Sequence, residues 1–371
     1  MSAPIRPAHG LVVGKFYPPH QGHVHLVRSA LDGADLVTVE VLHSSVESIP
    51  GLRRAAWLRD CFPQEDRLRI LEGCDDLPID YQSPSVWDGH IAIMKALVHQ
   101  ADSLRPWPRI DAIFTSETYG REMARRFEAR EFLVDLDRSA VPISGTMVRR
   151  DPPGHWHLLP PPVQAGLARR VVVVGAESTG TTTLSVDLHL ALVARSGVWA
   201  HTEWVAEYGR EYSENIQLRQ RELSLSGLPS EFPWSEADFI AIAQEQNRRE
   251  NHAASRGSPV LVCDTDSLAT RLWHERYRGS ESETVATIAA ELAPRSLYLL
   301  TSHLGVEFEE DGLRDQPQLR PAMTQRFREM LGQGTTPWFE LVGSRQQRLD
   351  RALELIEADL TAAYRFTDPL G

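Results

Sequence analysis

The sequence predicts an α/β protein built from two doubly wound parallel-sheet domains. Three observations lead there. In each half of the 371 residues, short runs rich in Val, Ile and Leu alternate with longer stretches of helical periodicity, the pattern of βαβ units. Each half carries a glycine-bearing junction between a strand and a helix, at residues 14–23 and 175–182. Between the halves lies Asp151-Pro152-Pro153-Gly154-His155-Trp156-His157-Leu158-Leu159-Pro160-Pro161-Pro162, too rich in proline for a helix or a central strand.

The expected organisation is a first domain over 1–150, a linker over 151–168 and a second domain over 169–371, with the boundary near Pro162. Strands are expected over 11–16, 36–42, 68–72, 112–115 and 132–136 because those runs are apolar and β-branched, with helices near 22–31, 52–62, 86–100 and 120–129 between them. Trp156 and its leucines imply a linker packed against a domain. In the second half, strands are expected over 171–174, 259–263, 296–300 and 339–342, and long helices over 182–194, 236–255 and 346–364. Residues 301–320 are polar and turn-rich, the composition of a mobile lid or of a plain surface loop. In such folds ligands bind beyond the C-terminal ends of the strands, where both glycine junctions fall.

Composition narrows the classes. The net charge is −12, with no basic block or basic stripe interleaved with aromatics, which argues against nucleic acid as a partner. Cys61, Cys74 and Cys263 have neither metal nor redox spacing and suggest a reducing compartment. No apolar run approaches a membrane span, and the N-terminus lacks a secretory core, so a soluble cytoplasmic protein is expected, with homo-oligomerisation left open. Lysine occurs only at Lys15 and Lys95, and arginine supplies the other 37 of 39 basic residues.

The first junction, Gly14-Lys15-Phe16-Tyr17-Pro18-Pro19-His20-Gln21-Gly22-His23, follows the apolar Leu11-Val12-Val13. It suits an anion: amides at a helix mouth favour phosphate, Gly14 and Gly22 allow close approach, and the prolines stiffen the turn. His20 and His23, three residues apart, face one volume, and an imidazole can hydrogen-bond a phosphate oxygen near neutral pH. The second junction, Gly175-Ala176-Glu177-Ser178-Thr179-Gly180-Thr181-Thr182, fits the Walker A pattern at every position except its lysine, replaced by Thr181. Charge compensation there must come from arginine or metal. Val260-Leu261-Val262-Cys263-Asp264 reads as a Walker B strand ending in a carboxylate.

The G-x-F-x-P-x-H-x-G-H element resembles the signature of nucleotidyltransferases that move AMP from ATP to a phosphate acceptor, and Ile143-Ser144-Gly145-Thr146-Met147-Val148-Arg149 resembles their distal I-S-x-T-x-x-R element. Followed by the G-x-E-S-x-G loop, this order is similar to the bifunctional nicotinamide-mononucleotide adenylyltransferase/ribosylnicotinamide kinase family. The likeness continues through Ser85-Val86-Trp87, the Trp156 segment, Glu207-Tyr208-Gly209-Arg210, Asp264-Thr265-Asp266 and Asp311-Gly312-Leu313-Arg314. Some members begin with a helix-turn-helix segment, for which the residues before Leu11 leave no room.

The resemblance implies a Rossmann-like nucleotidyltransferase domain followed by a P-loop kinase-like domain. In the first, His20 and His23 would meet the α- and β-phosphates, Lys15 would supply a point charge and Arg149 would grip pyrophosphate. Gly14, Phe16, Gly22, Thr115, Ser116, Ser144 and Thr146 would complete the ATP site, and Trp87 would stack on nicotinamide. Core packing for Trp87 and a surface ion pair for Arg149 are the alternatives. Gly145 replaces a second serine of the commoner pattern.

In the second domain, ATP would be held by Gly175, Glu177, Ser178, Thr179, Gly180, Thr181, Thr182, Thr183 and the lid residue Arg314. Thr182 and Asp264 would hold Mg²⁺, with Asp264 counted as catalytic. Glu207, Tyr208, Arg210, Asp266 and Tyr277 would meet the riboside. The family usually has Trp before Glu-Tyr-Gly-Arg; here that position is Ala206, with Trp204 two residues earlier. The implied ligands are ATP, nicotinamide mononucleotide, nicotinamide riboside and NAD. The implied function is NAD synthesis and salvage; the alternative is adenylyl transfer alone, with a catalytically weak P-loop domain acting as a nucleotide sensor.

Overall fold

The computed structural model describes residues 6–222, 234–291, 293–308 and 317–370. The chain divides into two compact units, Met1–Val163 with Tyr364–Gly371, and Gln164–Ala363. The last residues therefore belong to the first unit, whereas sequence reasoning ran the second domain to 371. No helix among the described residues is long and apolar enough to cross a membrane.

In the first unit, β1 (His9–Gly14), α1 (Gln21–Gly33), β2 (Leu36–His43), α2 (Gly51–Cys61), β3 (Leu68–Cys74), α3 (Pro84–Leu104), β4 (Ala112–Thr115), α4 (Gly120–Phe127) and β5 (Arg130–Leu133) alternate, followed by the short α5 (Gly145–Arg150). The sheet order is β3-β2-β1-β4-β5 and every pairing is parallel. Adjacent β1 residues feed opposite layers: Val12 joins Val27, Val39 and Phe114, while Leu11 joins Trp87, Ile113 and Met123. Both faces are thus covered, as a parallel sheet requires. α3 starts where Pro84 follows Ser83, whose hydroxyl accepts from the Val86 amide. β5 begins two residues before the run expected from sequence.

The proline-rich segment is more ordered than its composition suggests. A 3₁₀ turn covers Trp156–Leu158, and α6 (Pro161–Leu167) opens on the proline run itself. Proline has no amide hydrogen to lose in a first helical turn, so the run starts a helix that it could not continue. Trp156 is buried, with its ring 6.5 Å from that of Tyr364.

In the second unit the elements are β6 (Arg169–Gly175), α7 (Thr181–Val193), β7 (Glu203–Val205), α8 (Tyr208–Glu222), α9 (Glu236–Ala254), β8 (Val260–Asp264), α10 (Ser267–Arg278), α11 (Glu283–Ala290), β9 (Leu297–Thr301), α12 (Arg320–Gln333), β10 (Trp338–Leu341) and α13 (Arg345–Ala363). The sheet is again parallel, ordered β10-β9-β6-β8-β7. Periodicity did not reveal β7, too short to alternate, or α8, too polar to show an apolar stripe. β1 and β6 hold equivalent central places in their sheets, each with neighbours on both sides, and the loop after each enters the cleft at that switch point.

Candidate functional site

At the first junction the chain leaves β1, turns through Lys15–Pro19 and re-enters helix at His20, whose extended backbone caps α1. The His20 and His23 rings stack with centroids 3.7 Å apart and planes 21° apart. Gly22 makes room for this: a Cβ there would sit 3.1 Å from the His20 ring and 3.3 Å from Ile143. The His20 amide donates to Nδ1 of His23 at 3.2 Å, which leaves Nε2 of a neutral His23 to carry its proton. Phe16, expected to contact ATP, is buried at positive φ, and its ring lies 4.7 Å from that of His23, supporting the imidazole from behind.

Both imidazoles are neutral at rest. Burial lowers His20 to about 3, and burial, reinforced by His20 and Arg138, takes His23 well below its ordinary value. In that form they act as hydrogen-bonding groups, and an anion placed against them would favour the charged form.

The cations stand around this pair. Lys15 Nζ donates to the Leu370 carbonyl at 2.7 Å and lies 3.3 Å from Glu47, whose buried carboxylate also pairs with Arg54 at 2.6 Å. Arg54 in turn donates to the Lys15 carbonyl at 3.0 Å and so holds the turn in place. Arg149 lies over the Tyr17 ring, donating to the Tyr17 carbonyl at 2.7 Å and to Thr146 at 3.2 Å. Ser144 caps α5 by accepting from the Met147 amide. A Cβ at Gly145 would sit 2.9 Å from the Tyr17 carbonyl, so in this chain the glycine allows two backbone segments to touch where a serine would part them.

These groups line one cavity of about 510 Å³, which also takes in Thr115, Ser116, Trp87, Tyr81 and Tyr119. The Thr115 hydroxyl accepts from the Glu117 amide at 3.0 Å, closing the turn after β4. Tyr81 and Tyr119 stack at 5.7 Å, and the Trp87 indole lies 6.1 and 6.4 Å from them, its N–H donating to the Tyr81 carbonyl. Trp87 is largely buried, so it forms a wall of the cavity and a part of the core at once. Sequence reasoning missed Tyr81, Tyr119 and Arg138. Arg138 bonds Glu117 at 3.0 Å from a loop of irregular backbone, where no periodicity marks a residue.

In the second unit the loop from Gly175 to Gly180 joins β6 to α7, with Ser178 and Gly180 at positive φ. Thr179 fixes its floor, donating to the Ala176 carbonyl at 2.7 Å and sharing a hydroxyl contact of 2.7 Å with Thr301. A Cβ at Gly175 would overlap both hydroxyls. Glu177 accepts from Arg276 at 2.8 Å and from the Tyr277 hydroxyl at 3.4 Å, tying the loop to α10. Tyr277 also belongs to an aromatic cluster, 5.6 Å from Trp234 and 6.4 Å from Phe239. Thr183, in the first turn of α7, is exposed.

Asp264 ends β8 beside the loop. Burial raises its carboxyl to about 6, opposed by a hydrogen bond from Thr182 and by the charge of Arg210. A desolvated carboxylate against the loop hydroxyl is a donor set that fits Mg²⁺, which takes few protein ligands and completes its shell with water and phosphate. Among the described residues no group of three or more His, Cys, Asp or Glu side chains is placed to hold a metal unaided. Arg210 lies 3.6 Å from Glu214 on α8, Tyr208 stacks under Arg249 at 4.4 Å, and Glu207 precedes α8.

One expectation meets a competing role in this geometry. Asp266 is fully buried: one carboxylate oxygen caps α10 by accepting from Ala269 at 3.0 Å, and the other takes Tyr298 at 2.7 Å and Arg295 at 3.2 Å, leaving it committed to the scaffold. Trp204, two residues before Ala206, donates its indole N–H to Ser185 on α7 at 3.0 Å. Arg314 and its motif lie outside the described residues.

Residues 11–151 match the cytidylyltransferase-like family and residues 170–348 the AAA domain family. The chain is similar to the trifunctional NAD biosynthesis/regulator protein NadR of Salmonella typhimurium, 26% identical over 322 residues that make up 82% of this chain and 71% of that one. The NadR of Escherichia coli is 26% identical over 324 residues, with the same coverage. Among solved structures, an NadR protein in complex with NR matches 96% of each chain with a TM-score of 0.65 at 18% identity, and one in complex with NAD and AMP-PNP matches with a TM-score of 0.61 at 20%; at such identities the likeness is one of fold. With a cytidylyltransferase-like unit followed by an AAA-type unit, in the order of its motifs, the chain is similar to the NadR proteins over most of its length.

Proposed function

We propose that this protein catalyses two successive steps toward NAD: its second unit phosphorylates nicotinamide riboside to the mononucleotide, and its first unit transfers AMP from ATP to nicotinamide mononucleotide. The observation that carries the first assignment is the stacked pair His20–His23, beside Lys15, Arg138 and Arg149 in one cavity with an aromatic wall. A phosphate oxygen of the mononucleotide bonds to the α-phosphorus of ATP as the bond to the bridging oxygen breaks and pyrophosphate leaves. The attacking phosphate is already anionic, so no general base is needed. What the site contributes is position and charge neutralisation. His20 and His23 hydrogen-bond the α- and β-phosphates, and gain charge as negative charge accumulates between them. Lys15 and Arg149 take the departing pyrophosphate, and the electron-rich faces of the aromatic wall receive the cationic pyridinium.

In the second unit the loop amides hold ATP, and Thr182 with Asp264 would hold Mg²⁺, which would offset charge on the phosphate oxygens. Tyr277, Glu207 and Tyr208 receive the riboside. The relatives' names support NAD biosynthesis. Lys15 and Asp264 are the charge carriers on which each half depends, in a reading that places the protein in the cytoplasm.

The test is direct. Purified protein with nicotinamide mononucleotide, ATP and Mg²⁺ is expected to yield NAD and pyrophosphate, and His20→Ala or His23→Ala to slow this by ~10²–10³. Unchanged turnover in those variants refutes the first assignment. Riboside phosphorylation that survives both substitutions assigns the kinase to the second unit. ATP binding there without transfer favours a nucleotide sensor, the reading that Thr181 supports.

A further inference from the structure

The Walker A position that a lysine would fill holds Thr181, and both lysines of the chain, Lys15 and Lys95, lie in the first unit. A loop that binds triphosphate without a cation leaves the terminal phosphate uncompensated, so the source of positive charge has to be sought among arginines. Among the described residues, four touch this loop or its carboxylate, and they are not equivalent.

Arg348, on α13, is buried and spends its guanidinium on scaffold carbonyls: Nη1 on Thr179 at 2.9 Å, Nη2 on Ser302 at 3.0 Å and Nε on Gly343 at 3.0 Å. It fixes the loop from behind, with each of its three nitrogens already bonded to a scaffold carbonyl. Arg276 is bound to Glu177, and Arg210 acts on Asp264. Arg320 differs. It opens α12, and a single nitrogen, Nη2, makes all of its hydrogen bonds: to the Ser178 carbonyl at 3.0 Å, to Val306 at 3.0 Å and to His303 at 3.3 Å. Its Nε is buried and takes no partner among the described residues. A buried guanidinium N–H without an acceptor is costly to keep, and its persistence marks a place where an acceptor arrives with a ligand. The anchor point is also telling. Ser178 holds positive φ without being glycine, a strained backbone that the grip on its carbonyl helps to keep.

We propose that Arg320 stands in for the absent lysine: held beside the loop by its contact with the Ser178 carbonyl, it presents its unpartnered Nε–H to the terminal phosphate of ATP bound in the second unit. The inference rests on the kinase reading above and deepens it. As the riboside hydroxyl oxygen bonds to the γ-phosphorus, the bond from that phosphorus to the β,γ-bridging oxygen breaks, ADP leaves, and the hydroxyl proton passes to solvent. Arg320 offsets the charge on the migrating group and the bridging oxygen throughout. A guanidinium keeps its charge at any working pH, so it replaces the charge of the single ammonium and adds one directed N–H···O bond from Nε.

The experiment compares wild type, Arg320→Gln, Thr181→Lys and the double variant. It reads kcat and KM for ATP in riboside phosphorylation and, separately, the dissociation constants for ATP and ADP measured with the adenylyl site blocked by His20→Ala. Arg320→Gln is expected to lower kcat at least ~100-fold and to erase the preference for ATP over ADP. Adding Thr181→Lys to Arg320→Gln is expected to recover at least ~10-fold of kcat, a rescue that a merely structural role would not give. NAD synthesis in the single Arg320→Gln protein, measured without the block, serves as the folding control and is expected to be unchanged. An Arg320→Gln protein that keeps both its kcat and its ATP preference overturns the inference, as does a loss of both that Thr181→Lys fails to rescue. A wild-type chain that makes no mononucleotide from riboside overturns the kinase reading instead, and the ATP-to-ADP ratio in wild type and Arg320→Gln then decides the role of Arg320 by itself.

Discussion

The two glycine loops of this chain occupy the same place in the same kind of sheet, yet under the proposed function they would neutralise phosphate by different means. After β1, the charge-bearing groups are in the loop itself: Lys15, His20 and His23 fall within nine residues, and the imidazoles are held neutral by burial until an anion arrives. After β6, the loop carries amides, hydroxyls and the carboxylate of Glu177 but no cation of its own, and the nearby cations among the described residues are arginines brought from elsewhere, across 142 residues for Arg320 and 169 for Arg348. The difference teaches that an anion site needs a cradle built locally, because amides must converge, while its charge can be delivered by any element the fold brings close. A sequence motif is therefore a better guide to the cradle than to the charge.

The comparison breaks most visibly at Arg54. Its side chain is wholly buried with Glu47 and carries the Lys15 carbonyl, so Arg54→Met strands a buried carboxylate and should cost about 3–5 kcal/mol in urea unfolding, with loss of NAD synthesis. The imidazoles come next. His23→Ala should lower kcat for NAD formation by ~10²–10³ and leave riboside phosphorylation intact; equal losses in both assays would mean that the two loops do not act separately. Gly145→Ser restores the commoner motif but drives a Cβ toward the Tyr17 carbonyl, and a misplaced Arg149 should slow NAD formation by about tenfold or more.

Acid provides a subtler test. Burial holds both histidines in the folded first unit below the ~6.5 of an unfolded histidine, so the stability they carry is present above about pH 6.5 and is lost as pH falls toward 3. Nitrogen NMR should therefore find both rings neutral at pH 6 in the free protein, and ATP should raise their apparent values; rings already charged at pH 6 would remove the contrast between the loops. The smallest effect belongs to Tyr277→Phe, which deletes a long hydroxyl contact to Glu177 and keeps the ring, so KM for riboside should rise only about threefold.

Much of this was legible beforehand because it is local. The strand–glycine–helix junctions, the paired histidines at His20 and His23, and the Ser144–Arg149 element read directly from spacing, as did parallel sheets from the alternation of β-branched runs with helical ones. Pairing within one turn of a helix is fixed by backbone geometry, whatever the rest of the chain does. Other readings failed for equally physical reasons. Asp266 has the right type at the right offset from Asp264, but a carboxylate three residues before a helix amide is also an N-cap, and burial with Tyr298 and Arg295 decided which role it took.

What the sequence by itself determined, then, is where two phosphates can be cradled and that the second cradle lacks its lysine. Only the tertiary structure decided which arginine lies over that loop with a donor to spare, that Tyr81 and Tyr119 join Trp87 in one wall, and that the segment after α13 returns to the first unit to meet Lys15 at Leu370 and Tyr17 at Thr367. The reason is one of range. Hydrogen-bonded turns are specified by neighbours a few residues apart, whereas a charge acts through space and its partner is chosen by the packing of whole elements, which spacing along the chain does not encode.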